Sequence, residues 1–167
     1  MKSLEEIRGG SRVLIDANVI LHGIRRTSPQ CRNLLVRCDS GAVEGFVTTI
    51  VIAEVAHRRM VEEAQAKGFV GPNPYRSLAQ KPQIVRQLTA YAEDVRDLLD
   101  GGLFVENTKA GDFYLSLELQ RQFGLFTNDS LNLAVARRLG ISEIATADRV
   151  FDHTQGFIMY KPTDVSQ

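Results

Sequence analysis

The 167 residues carry 20 lysines and arginines against 20 aspartates and glutamates, for a formal net charge of zero. That balance excludes a chain drawn to nucleic acid or membrane by its overall field, so any electrostatic steering must come from where charges sit. With 44% hydrophobic and 24% charged residues, the composition is that of a folded domain and not of a disordered chain.

The length suits one domain with room for an elaboration, large enough to need no staple. Cys31 and Cys38 lie seven apart on a predicted helix, roughly 10 Å along its axis and too far for a disulfide. Two lone thiols point to small buried apolar roles in a reducing compartment. Met1-Lys2-Ser3-Leu4-Glu5-Glu6 lacks the apolar core of a signal peptide, and no run approaches the roughly 20 apolar residues that span a bilayer. The expectation is a cytoplasmic protein without a membrane partner.

In chain order, Arg12-Val13-Leu14-Ile15 reads as a strand buried on both faces of a parallel sheet, and Asp16 opens a strand-to-loop passage. A helix is predicted from Pro29 to Cys38, with Leu34 and Leu35 inward. Gly41 and Gly45 flank the turn into a strand, Phe46-Val47-Thr48. Thr48 or Thr49 caps the next helix, which carries Ile50, Val51, Val55 and Met60 to about Lys67. Gly68, Gly71, Pro72, Pro74 and Pro82 mark 68–82 as a loop. One amphipathic helix then starts near Pro82, with Ile84, Val85, Leu88, Tyr91, Val95, Leu98 and Leu99 at helical spacing and Asp100-Gly101-Gly102 as its stop. Leu103-Phe104-Val105 is a short strand, and Asp112 to Phe123 a helix. A further helix runs from Asn128, its N-cap, to Leu139, with Gly140 as the stop. Ile144-Ala145-Thr146 and Phe157-Ile158-Met159-Tyr160 complete the strands. Strands separated repeatedly by helices predict a parallel sheet covered on both faces.

Four acids stand where an apolar run gives way to a turn or opens a helix. They are Asp16 after Ile15, Glu54 early in the helix after Thr49, Asp129 in Asn128-Asp129-Ser130-Leu131, and Asp148 after Thr146-Ala147. In an open parallel sheet the carboxyl ends of the strands share an edge where ligands bind. Each acid also has an ordinary role: Asp16 and Asn18 as turn residues, Glu54 in an i,i+4 ion pair with Arg58, Asp129 as a first-turn acid, Asp148 as a turn former. Their joint arrangement carries the signal. Two carboxylates about 4 Å apart repel by roughly 4 kcal/mol at an effective dielectric near 20, and a divalent cation removes that cost. Oxygen donors suit Mg2+ or Mn2+, which activate water and orient phosphate. The chemistry implied is phosphodiester hydrolysis, with Asn18 lending an amide oxygen or positioning a water.

Basic residues should rim such a cleft to hold a polyanion. Arg25, Arg26, Arg58 and Arg149 are the substrate-binding candidates, whereas Arg137 and Arg138 suit a helix C-terminus. No aromatic ladder for base stacking is evident, and His22, His57 and His153 show no zinc-ligand spacing.

These segments resemble the motifs of the PIN-domain nucleases, VapC-like ribonucleases among them. Val13 through Leu21 is similar to the first motif, Thr48 through Glu54 to the second, Phe126 through Ala134 to the third, Ile144 through Phe151 to the fourth, and Gly156 through Tyr160 to the closing strand. The resemblance implies a three-layer α/β/α sandwich with a five-stranded, mainly parallel sheet. It implies a single PIN-like domain over 1–167, with a loop-plus-helix elaboration around 68–102. It makes Asp16, Glu54, Asp129 and Asp148 the catalytic acids holding Mg2+ or Mn2+, Thr146 a supporting hydroxyl and Asp152 an additional ligand. The implied activity is endoribonuclease cleavage of RNA leaving a 5′-phosphate. Many members are toxins of VapBC toxin–antitoxin pairs, held inactive by an antitoxin and forming homodimers. The longer 68–102 segment departs from the compact toxins. A stand-alone ribonuclease, or a degenerate PIN module binding RNA or a protein partner, are the alternatives. A haloacid-dehalogenase phosphatase needs a second aspartate where Asn18 stands, and flap nucleases acting on DNA carry more acids and helical arches.

Overall fold

The computed structural model describes residues 2–165. Strands β1 (Lys2–Ser3), β2 (Arg12–Ile15), β3 (Glu44–Thr48), β4 (Phe104–Glu106), β5 (Glu143–Ala145) and β6 (Ile158–Lys161) form one sheet. Its order is β1-β6-β5-β2-β3-β4, with every neighbouring pair parallel. The helices are α1 (Ala17–Ile24), α2 (Pro29–Asp39), α3 (Thr49–Ala66), α4 (Pro74–Ala79), α5 (Pro82–Val85), α6 (Ala90–Asp100), α7 (Ala110–Phe123) and α8 (Thr127–Arg138), with 3-10 turns at Leu4–Glu6 and Arg149–His153.

The two-residue period of a strand divides the core into two layers. Val13 and Ile15 of β2, Val47 of β3 and Ala145 of β5 join Val19, Leu34 and Val51 from α1, α2 and α3 in one buried cluster. Their strand neighbours Leu14, Phe46 and Ile144 face the other way, onto Leu119 of α7 and Leu133 of α8. Strands covered on both sides are apolar throughout, and each fully buried valine, leucine or isoleucine contributes about 1.5–3 kcal/mol. A third cluster, Val61, Ala64, Val70, Leu78 and Leu88, lies under the 68–102 segment. Among the described residues no helix is long and apolar enough to cross a membrane.

Caps fix where the helices start. Asp16 accepts from the N–H of Ala17, Ser28 from Cys31 and Thr48 from Val51, each cap typically worth about 1 kcal/mol. Gly45 lies within β3 rather than in the turn before it, and a Cβ there would stand 2.6 Å from the Cys38 sulfur. Only glycine lets α2 approach so closely.

The sheet has six strands rather than five, because Lys2–Ser3 pairs with β6; two residues carry no period to read. Asp16 opens a helix, α1, where a loop was expected. The 68–82 loop contains α4, with Pro74 at its first position. The single helix predicted from Pro82 is broken into α5 and α6. The break has a tertiary cause. Glu63 of α3, 8% exposed, accepts from the backbone N–H groups of Thr89 and Tyr91 at 3.0 Å each and so caps α6 from another helix. Asn128 lies in the first turn of α8 rather than at its N-cap, which is Phe126 with no side-chain cap, so α8 forgoes about 1 kcal/mol. Gly140, at φ +68°, follows the end of α8 as expected.

Candidate active-site cleft

From β2 the chain passes to β3 on one side, and it later returns to β5 on the other. Open α/β sheets bind ligands at the carboxyl ends of the strands beside such a switch point. Asp16 follows β2. Its Oδ1 accepts the Ala17 N–H at 2.8 Å, and its Oδ2 accepts the Thr146 hydroxyl at 2.9 Å. The same hydroxyl accepts the Asp148 N–H at 3.0 Å. One buried threonine thus ties the acid after β2 to the acid after β5.

A second threonine works on the other side. Thr48 Oγ1 accepts the Val51 N–H at 3.1 Å, capping α3, and donates to Asn132 Oδ1 of α8 at 2.7 Å. Helix α3 carries Glu54 and α8 carries Asp129, so this buried bond sets the spacing of the helices that deliver those two acids.

Asp16, Glu54, Asp129 and Asp148 line one open cleft of about 590 Å³, together with Asn18, Arg58, Phe126, Thr127 and Asn128. Burial pushes Asp16 up to about 6, and the charges of Glu54 and Asp148 add to it against the hydrogen bonds from Thr146 and Ala17. Burial also pushes Asp129 up to about 6, helped by the charges of Asp16, Asp148 and Glu54. Asp16 and Asp129 therefore both sit in the negative field of Glu54 and Asp148, with Arg58 the basic residue of the cleft lining.

An all-oxygen donor set short of a cation matches the chemistry of Mg2+ or Mn2+. Among the described residues, no group of three or more His, Cys, Asp or Glu side chains is arranged to hold a metal ion as it stands. The two observations agree physically. Mg2+ needs only one or two carboxylates because it keeps several waters. The donors fit, in an open cleft rather than a closed cage.

The i,i+4 ion pair weighed for Glu54 is present. Arg58 Nη1 lies 3.3 Å from Glu54 Oε1 and donates to Asn18 Oδ1 at 2.8 Å. Both side chains are about a third exposed, so the pair contributes about 0–1 kcal/mol. Among the other expected substrate contacts, Arg25 is held by Glu62. Arg26 lines a separate cavity beside Arg32 and Asp94. Neither lines the acidic cleft. Arg149 is exposed next to Asp148. Asp152 also lies outside the cleft lining, because Lys161, 1% exposed, takes it as an ion-pair partner. A buried ammonium demands such a partner. His22 bonds Thr27, and the His57 ring lies 5.2 Å from that of Tyr75. Asn132 and Phe126 were not singled out from sequence. Asn132, one turn after Asp129 on a helix of small apolar residues, is a polar residue that must find a partner.

Solved structures similar to this chain include the following three. VapBC2 from Rickettsia felis bound to a promoter DNA fragment has a TM-score of 0.56 at 15% identity, covering 90% of this chain and 98% of that one. A toxin–antitoxin complex from Klebsiella pneumoniae has a TM-score of 0.56 at 17% identity, covering 87% and 95%. VapC20 from Mycobacterium tuberculosis, a sarcin–ricin-loop-cleaving toxin, has a TM-score of 0.55 at 15% identity, covering 87% and 96%. Identities this low speak for the fold alone. Among curated proteins no significant match was found. The PIN-domain family model matches residues 13–156, the span from β2 to the turn before β6 that delivers all four acids, and the chain belongs to the PIN-domain family.

Proposed function

We propose that this protein is an Mg2+- or Mn2+-dependent endoribonuclease and the toxin of a VapBC-type pair. The observation that carries the reading is the meeting of Asp16, Glu54, Asp129 and Asp148 on one cleft, with Asp16 and Asp129 short of positive charge. These four would hold the ion. When bound, it supplies an activated water and neutralises charge on the phosphate. The chain's own residues prepare the rest. Thr146 fixes the direction of the Asp16 carboxylate and the position of Asp148. The Thr48–Asn132 bond holds the helices of Glu54 and Asp129. Arg58, engaged with Glu54 and Asn18, lines the cleft and would meet an incoming phosphate. The likeness in fold to toxin–antitoxin complexes supports an antitoxin as partner, and a homodimer belongs to the same reading.

The test is cleavage of single-stranded RNA by the purified protein. The expected result is metal-dependent cutting that leaves 5′-phosphate ends, stops with EDTA and is absent from Asp16→Asn. Uncut RNA with either metal, or equal cutting by the variant, overturns the assignment. Growth arrest on expression, lost with the same substitution, tests the toxin role. One observation favours a second reading, a PIN module that binds RNA or protein without catalysis: Arg58 already pairs with Glu54. A protein that binds RNA and takes up no metal supports that alternative.

A further inference from the structure

Phe126 departs from the local rules twice. It is 84% exposed, the most exposed of the large apolar side chains described. It also occupies the N-cap of α8 without a capping bond, although Thr127 and Asn128 follow immediately. The turn at Gly124, φ +70°, leads the chain out of α7 and places Phe126 in the wall of the acidic cleft, with Asp129. A phenyl ring in water beside four carboxylates gains nothing from burial. Departures of this kind belong to functional sites.

The surroundings argue against an apolar protein contact. Helices α7 and α8 run antiparallel: Gln120 reaches Ser130 at 3.1 Å near one end, and Arg138 reaches Asp112 at 2.8 Å at the other. Exposed Phe113, Tyr114 and Leu117 lie toward that second end, about 9–15 Å along α7 from its junction with Phe126. The groups sharing the cleft wall with Phe126 are polar: Thr127, Asn128, Asn18 and Arg58. A π-face ringed by donors and acceptors suits an unpaired nucleobase, which stacks through its face and hydrogen-bonds through its edge.

We infer that Phe126 is the stacking platform for a nucleobase next to the scissile phosphate, an inference that rests on the ribonuclease reading above. It makes the substrate single-stranded at the cut and Phe126 a substrate-positioning residue.

The chain has no tryptophan, so Phe126→Trp installs a single indole in the cleft. A short single-stranded RNA, with Ca2+ as the ion, is expected to quench its emission. An abasic oligomer of equal length and charge is expected to leave it unchanged. Phe126→Ala and Phe126→Leu should both bind end-labelled RNA about 10-fold or more weakly, with Mn2+ affinity preserved. RNA binding by anisotropy without any change in indole emission, or at full strength in Phe126→Ala, overturns the inference and leaves the ribonuclease reading standing. Full RNA affinity in Phe126→Ala together with a changed oligomeric state by light scattering overturns it in favour of a protein contact. RNA neither bound nor cut by the unaltered protein overturns both.

Discussion

Glu63, where α3 meets α6, and Asp16, in the cleft, are carboxylates buried to nearly the same extent, 8% and 7% exposed. Burial opposes ionisation of both. At Glu63 the Lys67 ammonium, 2.6 Å away, and the backbone N–H groups of Tyr91, Thr89 and Ala90 outweigh it and hold the group down at about 2. Asp16 has one hydroxyl and one N–H, set against burial and the charges of Glu54 and Asp148, and is pushed up to about 6. The supply of donors separates them, together with the fuller desolvation of Asp16 and the like charges of Glu54 and Asp148 beside it. The fold surrounds the carboxylate that caps a helix with donors and gives the one in the cleft a single hydroxyl and a single N–H.

Substitutions at the two places should therefore have opposite signatures. The largest effect is expected on cleavage: Asp129→Asn lowers it about 1,000-fold or more, roughly 4 kcal/mol in the barrier. Glu63→Gln leaves the rate per folded molecule within about twofold. Equal losses in a single-turnover assay would erase the distinction. Next comes stability. Glu63→Gln should cost about 2–4 kcal/mol in urea unfolding, because it weakens a charged cap shared by several N–H groups. Asp16→Asn should raise metal-free stability at pH 7.5 by about 1–3 kcal/mol.

The pH dependence sharpens the same contrast. Asp16 and Asp129 titrate near 6 when folded, above their ordinary 3.8. Their contribution is present below about pH 4 and lost as pH rises through 6. Glu63 is held at about 2, below its ordinary 4.5, so its contribution is present above about pH 4.5 and lost as pH falls toward 2. In metal-free unfolding curves Asp16→Asn should flatten the decline between pH 4 and 6, and Glu63→Gln the one at lower pH. The smallest effect is expected at Thr146→Val, about 10-fold in cleavage with stability changed by about 1 kcal/mol, since Asp16 keeps the Ala17 N–H.

The parts legible in the sequence were those written by local pattern. The apolar runs of β2, β3 and β5 showed buried parallel strands, and the acids that follow them gave Asp16 and Asp148. Glu54 and Asp129 were legible from their helix starts. What stayed hidden depends on partners far along the chain. Glu63 breaks a helix whose spacing looked continuous, since its carboxylate arrives from 26 residues away. The pairing of Asp152 with the buried ammonium of Lys161 and that of Arg25 with Glu62 leave no local trace either. The pairing of Asn132 with Thr48 spans 84 residues. An exposed phenylalanine is unremarkable in a sequence; only its place on the cleft wall gives it meaning.

The most direct measurement is calorimetric titration of Mn2+ into the metal-free protein and into Asp16→Asn at pH 7.5. The unaltered protein should bind the ion and gain unfolding free energy with its concentration, while Asp16→Asn binds it at least about tenfold more weakly. Indistinguishable isotherms, or no uptake by the unaltered protein, would contradict a cation site built on these carboxylates.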